Sequence, residues 1–246
     1  MKGNTSGLWG GAEQCLYYSY RTDFERVSKW LARLRLEGVG KDFETWGRIS
    51  ALAALSDVGR TSELMLELSE IDDAAAWQGA SAVWANAQNF ARYRAQCIAG
   101  LDYGLSLNTH SDVIGQRVGQ LFCSDVTGIP SDLVRRYFSV REMGSSGVGA
   151  YIHGLDEWLS VTAQRDPGEA LVVFELYLAY VRGKGAHMYD RGGNLTQLLT
   201  QLFAEAEEWE EVDGGAMLQR VVSAQDELLS LGVSGIGDWL AAAERP

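Results

Sequence analysis

The sequence predicts an all-α protein of about a dozen short helices stacked as hairpins, and three observations carry that expectation. Apolar residues recur at helical spacing along most of the 246 residues, with no convincing strand-like alternation. Only three prolines occur, Pro130, Pro167 and Pro246, so helices can run without a ring clash or a missing N–H. Trp77, Trp158 and Trp239 stand at one constant spacing, and the last two lie in near-repeated words. Gly154-Leu155-Asp156-Glu157-Trp158-Leu159 is echoed by Gly235-Ile236-Gly237-Asp238-Trp239-Leu240, the mark of a duplicated helical unit. Around Trp77 the flanking words are weaker.

The first clear helix is expected to open at Thr22, with Glu25 reaching back, and to carry Val27, Leu31 and Leu34 on one stripe as far as Gly38. Asp42 is expected to cap the next, with Phe43, Trp46, Ile49 and Ala53 on one side. Thr61 or Ser62 opens a third, with Leu64, Met65, Leu68 and Ile71. Further helices follow at 74–87, 90–105, 111–122 and 131–142, the last opened by Pro130-Ser131-Asp132. A glycine- and serine-rich loop near 144–150 interrupts them. Helices then resume at 155–164, 167–182, 195–210, 216–231 and 236–243. Residues 170–181 are the most apolar run, too short for a bilayer span of roughly twenty residues, and read as a buried central helix. Helix pairs of roughly forty residues match HEAT, armadillo or tetratricopeptide-sized units, which must stack to bury their faces. The whole chain, 1–246, is therefore expected to be one α-solenoid domain with a loop near 144–150.

Net charge is −12, so the summed field disfavours nonspecific nucleic-acid binding and anionic membranes and favours basic partners. Two clusters run against that average: Arg135, Arg136 and Arg141, and Arg182, Lys184 and Arg191. Each reads as an anion-binding patch or as a solvated helix face. Cys15, Cys97 and Cys123 are odd in number and form no C-x-x-C pair, which points away from a disulfide scaffold or zinc site and toward a cytoplasmic protein. The polar, glycine-rich residues 1–11 do not read as a signal peptide.

Candidate chemistry is sparse, and no cofactor is expected. His110, His153 and His187 are too widely spaced for two to share one helical turn. Cys123 sits near an expected loop without a catalytic word around it and reads as a small buried thiol. The glycine loop at Gly144 lacks the Lys-Ser/Thr of a P-loop and follows no strand. Glu205, Glu207, Glu208, Glu210, Glu211 and Asp213 gather negative charge at a helix C-terminus, where the macrodipole disfavours it. They form either a docking surface for a basic partner or a solvated neighbour of a helix that begins at Asp213. Trp77 and Trp84 share one face and read as core, whereas Trp9 and Trp30 are the expected exposed pair and candidate protein contacts.

Several words together resemble a known kind of protein. They are Trp46-Gly47-Arg48-Ile49-Ser50-Ala51-Leu52-Ala53-Ala54-Leu55, Ala76-Trp77-Gln78-Gly79-Ala80, Asp156-Glu157-Trp158-Leu159, and Asn194-Leu195-Thr196-Gln197-Leu198-Leu199 running to Asp213-Gly214-Gly215-Ala216-Met217-Leu218. The chain resembles the extreme C-terminal helical region of very large bacterial P-loop ATP-binding proteins of signalling or defence kind. No Walker motif is present, so ATPase activity does not carry over and no functional residue is transferred. The resemblance implies a separated or truncated helical module whose partner is a cognate P-loop ATPase, a phage component or another regulator, or a remnant reading frame without its own role. The expected function is a non-catalytic helical-repeat interaction or sensor module. The alternative is an enzyme of unknown type with a site near Arg135, Arg136, His153, His187 and Arg191. A homodimer through the open ends of the stack is a further alternative.

Overall fold

Twelve helices and no strand occur among the described residues of the computed structural model, which are 19, 23–38, 40–107, 109–124, 128–143, 152, 154–183, 193–213, 215–233 and 236. The all-α expectation therefore holds. The chain divides into two compact units, Met1–Leu121 and Phe122–Pro246. That division precedes the loop expected near 144–150, which lies outside the described residues.

In the first unit, α1 (Phe24–Glu37) is capped by Asp23, whose carboxylate accepts from the Arg26 N–H at 3.3 Å; Thr22, expected to open this helix, lies outside the described residues. Helix α2 (Lys41–Ala54) begins after Gly40, with Asp42 inside its first turn instead of at the cap, and buries Trp46, Ile49 and Ala53 of the expected face, with Phe43 only half-buried. Helix α3 (Val58–Ile71) opens ahead of the expected Thr61, because Asp57 accepts from the Gly59 N–H at 2.9 Å. Thr61 is instead buried, and its hydroxyl donates to the Ala54 carbonyl at 2.9 Å, satisfying an acceptor at the end of α2. Helix α4 (Ala74–Trp84) is capped by Asp73. The long segment expected at 90–105 is broken at Tyr93 into α5 (Ala87–Arg92), capped by Asn86, and α6 (Arg94–Ser106). Helix α7 (Ser111–Phe122) has its expected bounds.

The centre of this unit is the crossing of α2 and α4. A Cβ on Gly47 would overlap the Ala76 carbonyl oxygen, and one on Gly79 would overlap the Glu44 carbonyl oxygen. The two glycines let the backbones touch, and buried Ala51, Ala76 and Ala80 extend the close approach. The two words at 46–55 and 76–80 are thus the facing sides of one helix crossing.

In the second unit, α8 (Ser131–Met143) starts from Pro130, whose carbonyl accepts from the Leu133 and Val134 N–H groups at 3.1 and 3.3 Å. It is followed by α9 (Leu155–Ala163), α10 (Pro167–Gly183), α11 (Asn194–Asp213) and α12 (Ala216–Ser230). Helix α10 packs on α8, α9 and α12, and α9 packs on α11. Alternate helices are therefore neighbours in this unit. Helix α10 is the buried central helix expected, with Leu171, Phe174 and Val181 fully enclosed. Phe138 of α8 lies against Tyr177 and Tyr180 of α10, with ring centroids 5.8 and 5.9 Å apart. Along α11, Leu195, Leu198, Leu199, Leu202 and Ala206 are buried at helical spacing, forming one inward stripe.

Of the second tryptophan word, only one residue is described, and Trp239 and the remainder of the helix expected at 236–243 lie outside. Ile236 is nevertheless buried like Leu155 of the first word, and Val233 is buried like Ile152. No described helix is long and apolar enough to cross a membrane.

Candidate functional site

A pocket of about 310 Å³ lies beside α9 in the second unit. One face of that helix builds its wall. Glu157, Trp158, Val161 and Thr162 of the helix, with Gly154 just before it and Arg165 two residues past its end, follow one another at intervals of three and one, which keeps them on a single stripe. Opposite stand Phe122 at the end of α7 and Ile129 and Pro130 in the approach to α8. Asp166 and Glu169, at the start of α10, close the rim.

Two contacts hold the wall in place. The Trp158 indole N–H donates to the Ile129 carbonyl at 2.8 Å, fixing α9 to the segment that leads into α8. The ring is buried, and it joins Phe122, Ile129 and Val161 in giving the pocket an apolar floor. Gly154 adopts φ +78°, and a Cβ there would overlap the Phe122 carbonyl oxygen, so only glycine fits the turn that launches α9.

Four charged groups line the pocket, and two of them are already engaged. Glu169 pairs through one carboxylate oxygen with Arg135 of α8, while its Oε1 is buried with no hydrogen-bond partner among the described residues. Asp166 accepts from the Glu169 N–H at 2.9 Å and so caps α10, where the helix dipole favours its charge. Glu157 and Arg165 are exposed, and neither has an ionic or hydrogen-bonding side-chain partner among the described residues. The pocket therefore presents one uncommitted charge of each sign on either side of an apolar wall.

Two of the arginines expected to bind anions are committed to carboxylates. Arg135 is tied to Glu169, and Arg136 is exposed beside it on α8. Arg182 is paired with Glu227 of α12 at 3.1 Å. The Arg141 side chain, Lys184, Arg191, His153, His187, Trp9 and Cys15 lie outside the described residues. The structure thus ties Arg135 to a carboxylate that lines the pocket and does not bring the expected arginine and histidine set together among the described residues. His110 immediately precedes α7, its carbonyl accepting from the Val113 and Ile114 N–H groups, and its Nε2 lies 3.1 Å from both the carbonyl and the carboxylate of Asp72. No group of three His, Cys, Asp or Glu among the described residues is arranged to hold a metal ion.

Glu205 is half-buried and Glu207 and Glu208 are exposed on α11, which runs on to Asp213. Asp213 thus ends α11 and does not begin the next helix, so the acidic run does sit at a helix C-terminus. The side chains of Glu210, Glu211 and Asp213 lie outside the described set. Trp77 and Trp84 are core, as read from their spacing. Trp30 is half-buried and lines a shallow hollow of about 250 Å³ at the end of α1. Cys123, expected to be buried, is exposed just beyond α7. Cys97 is the buried thiol instead, and burial pushes its pKa up to about 12.

The pocket is not apparent in the sequence. Its signal is present as a stripe through 154, 157, 158, 161, 162 and 165, but glutamate, threonine and arginine interrupt the apolar residues and make it look like ordinary solvated surface. No protein-family model, no curated protein and no solved structure matches this chain.

Proposed function

We propose that the chain is a non-catalytic helical-repeat interaction or sensor module that receives a segment of a protein partner beside α9. The carrying observation is the pocket itself: an apolar floor with Glu157 and Arg165 uncommitted at its sides among the described residues. Apolar concavities with a few convergent polar groups are the usual form of a binding site. The two fixed charges inside it, Glu169 and Asp166, have structural partners in Arg135 and the α10 N-terminus. The resemblance to the helical regions of large bacterial ATP-binding proteins makes a P-loop ATPase, or a phage component met during defence, the first partner to seek in the cytoplasm.

Affinity purification of the tagged full chain from bacterial lysate, with and without phage challenge, tests this reading when paired with light scattering on the pure protein. Stoichiometric recovery of one protein by the native chain is expected. Glu205→Lys should recover that protein equally well, and Val161→Arg should lose most of it. Recovery of the chain alone under both conditions, as monomer or homodimer, overturns the reading.

A further inference from the structure

We infer that the segment received beside α9 carries one basic and one acidic side chain three or four residues apart, with an apolar side chain between them. This rests on the reading of the chain as an interaction module and names the chemistry of what the site takes. Unmatched charges point to it. Glu169 is offset by Arg135 and Asp166 by the α10 N-terminus, which leaves Glu157 and Arg165 to be answered from outside. Arg165 lies eight residues on from Glu157, two past the end of α9 in a turn where the Arg165 and Asp166 N–H groups both donate to the Thr162 carbonyl, so at close to the helical rise the two backbones are roughly 12 Å apart. An extended chain covers that distance in about three to four residues.

Between the two charges lie Trp158 and Val161, with Ile129 and Phe122 facing them. This surface is too apolar to answer a continuous charged run. A partner with basic residues alone would satisfy Glu157 and meet repulsion at Arg165; a purely acidic one would meet the reverse. A segment with one charge of each sign satisfies both and places its apolar side chain on the tryptophan wall. The pocket of about 310 Å³ accommodates a side chain of that size.

The test is selection of displayed random dodecapeptides on the immobilised full chain, followed by fluorescence anisotropy with the enriched, fluorescein-labelled peptides. Enriched peptides are expected to share a basic and an acidic residue three or four positions apart around an apolar one. Glu157→Gln and Arg165→Gln, both at exposed positions, are each expected to weaken binding about three- to fivefold, the range of an exposed ion pair. They should also flatten the salt dependence. Val161→Arg should weaken binding by more than about tenfold, a charge set into an apolar wall, with thermal unfolding confirming that the variant is folded. The inference is overturned if no peptide is enriched, if enriched peptides carry like charges or no charge preference, or if the three variants bind as the native chain does. The module reading stands or falls separately. A cellular partner recovered equally by the native chain and by Val161→Arg keeps that reading and removes this site from it, whereas recovery of no partner at all removes both.

Discussion

Trp77 and Trp84 in the first unit and Trp158 in the second are the same kind of residue on the same kind of helix, with opposite consequences. The first two are fully buried, pack edge to face with centroids 6.4 Å apart, and are enclosed by neighbouring helices; the Trp84 indole N–H has no acceptor among the described residues. Dispersion and burial hold them, and they leave no opening. Trp158 is anchored by a hydrogen bond at its polar edge and meets turns, at 128–130 and 154, where Trp77 and Trp84 meet packed helices. Turns cannot close over a helix face as another helix can, because their backbone groups must stay near water or find specific partners. A tryptophan beside a helix thus seals a core, and one beside turns becomes the wall of a pocket.

The contrast between a closed unit and an open site can be probed by reactivity first, where the effect is largest. At a pKa of about 12, Cys97 is about one part in ten thousand thiolate at pH 8, and it is buried as well. Exposed Cys123 should be alkylated by iodoacetamide orders of magnitude faster, as read by peptide-resolved mass spectrometry. Folding holds the Cys97 proton above its ordinary value of 9.0, so the neutral thiol's contribution to stability is present below pH 9 and is lost as pH rises toward 12. Equal labelling of the two cysteines in the native protein would contradict the closed first unit.

Next comes the helix crossing. Gly79→Val drives a branched side chain into the Glu44 carbonyl and should cost about 3 kcal/mol in urea unfolding, the upper end of over-packing. A cost below about 1 kcal/mol would mean that α2 and α4 are not in backbone contact. In the second unit, Trp158→Phe keeps most of the apolar wall but leaves the Ile129 carbonyl without its donor, and should cost about 1–3 kcal/mol by the same measurement. The smallest effect is expected at the Arg220–Glu175 pair, which bridges α12 and α10 at 2.7 Å with both side chains partly exposed. The Glu175 hydrogen bond raises the Arg220 pKa, so the guanidinium stays charged throughout the ordinary pH range. Arg220→Gln should cost less than about 1 kcal/mol, and the difference should vanish at high salt.

The sequence carries the helices well and their ends poorly. The phase of α11 and the burial of α10 follow from long apolar stripes, where many residues agree. Helix starts depend on single hydrogen bonds, and several side chains compete to make each one. Asp57 displaces Thr61 as a cap because Thr61 finds the Ala54 carbonyl, and Tyr93 breaks a segment whose periodicity runs straight through it. The Gly47 and Gly79 contact is hidden for a different reason, since their pairing is a property of two helices and neither segment reveals it alone. The pocket is least legible of all. Its wall mixes charge with apolar surface, and Glu169 and Asp166 become structural only through Arg135 and the start of α10.

The most direct test of α9 as the place where a partner docks is hydrogen–deuterium exchange of the full chain with and without its captured partner. Docking there predicts slowed exchange over residues 154–166 and 128–131, with the helices of the first unit unchanged. Protection confined to the first unit, or to the acidic end of α11 at 205–213, would contradict it.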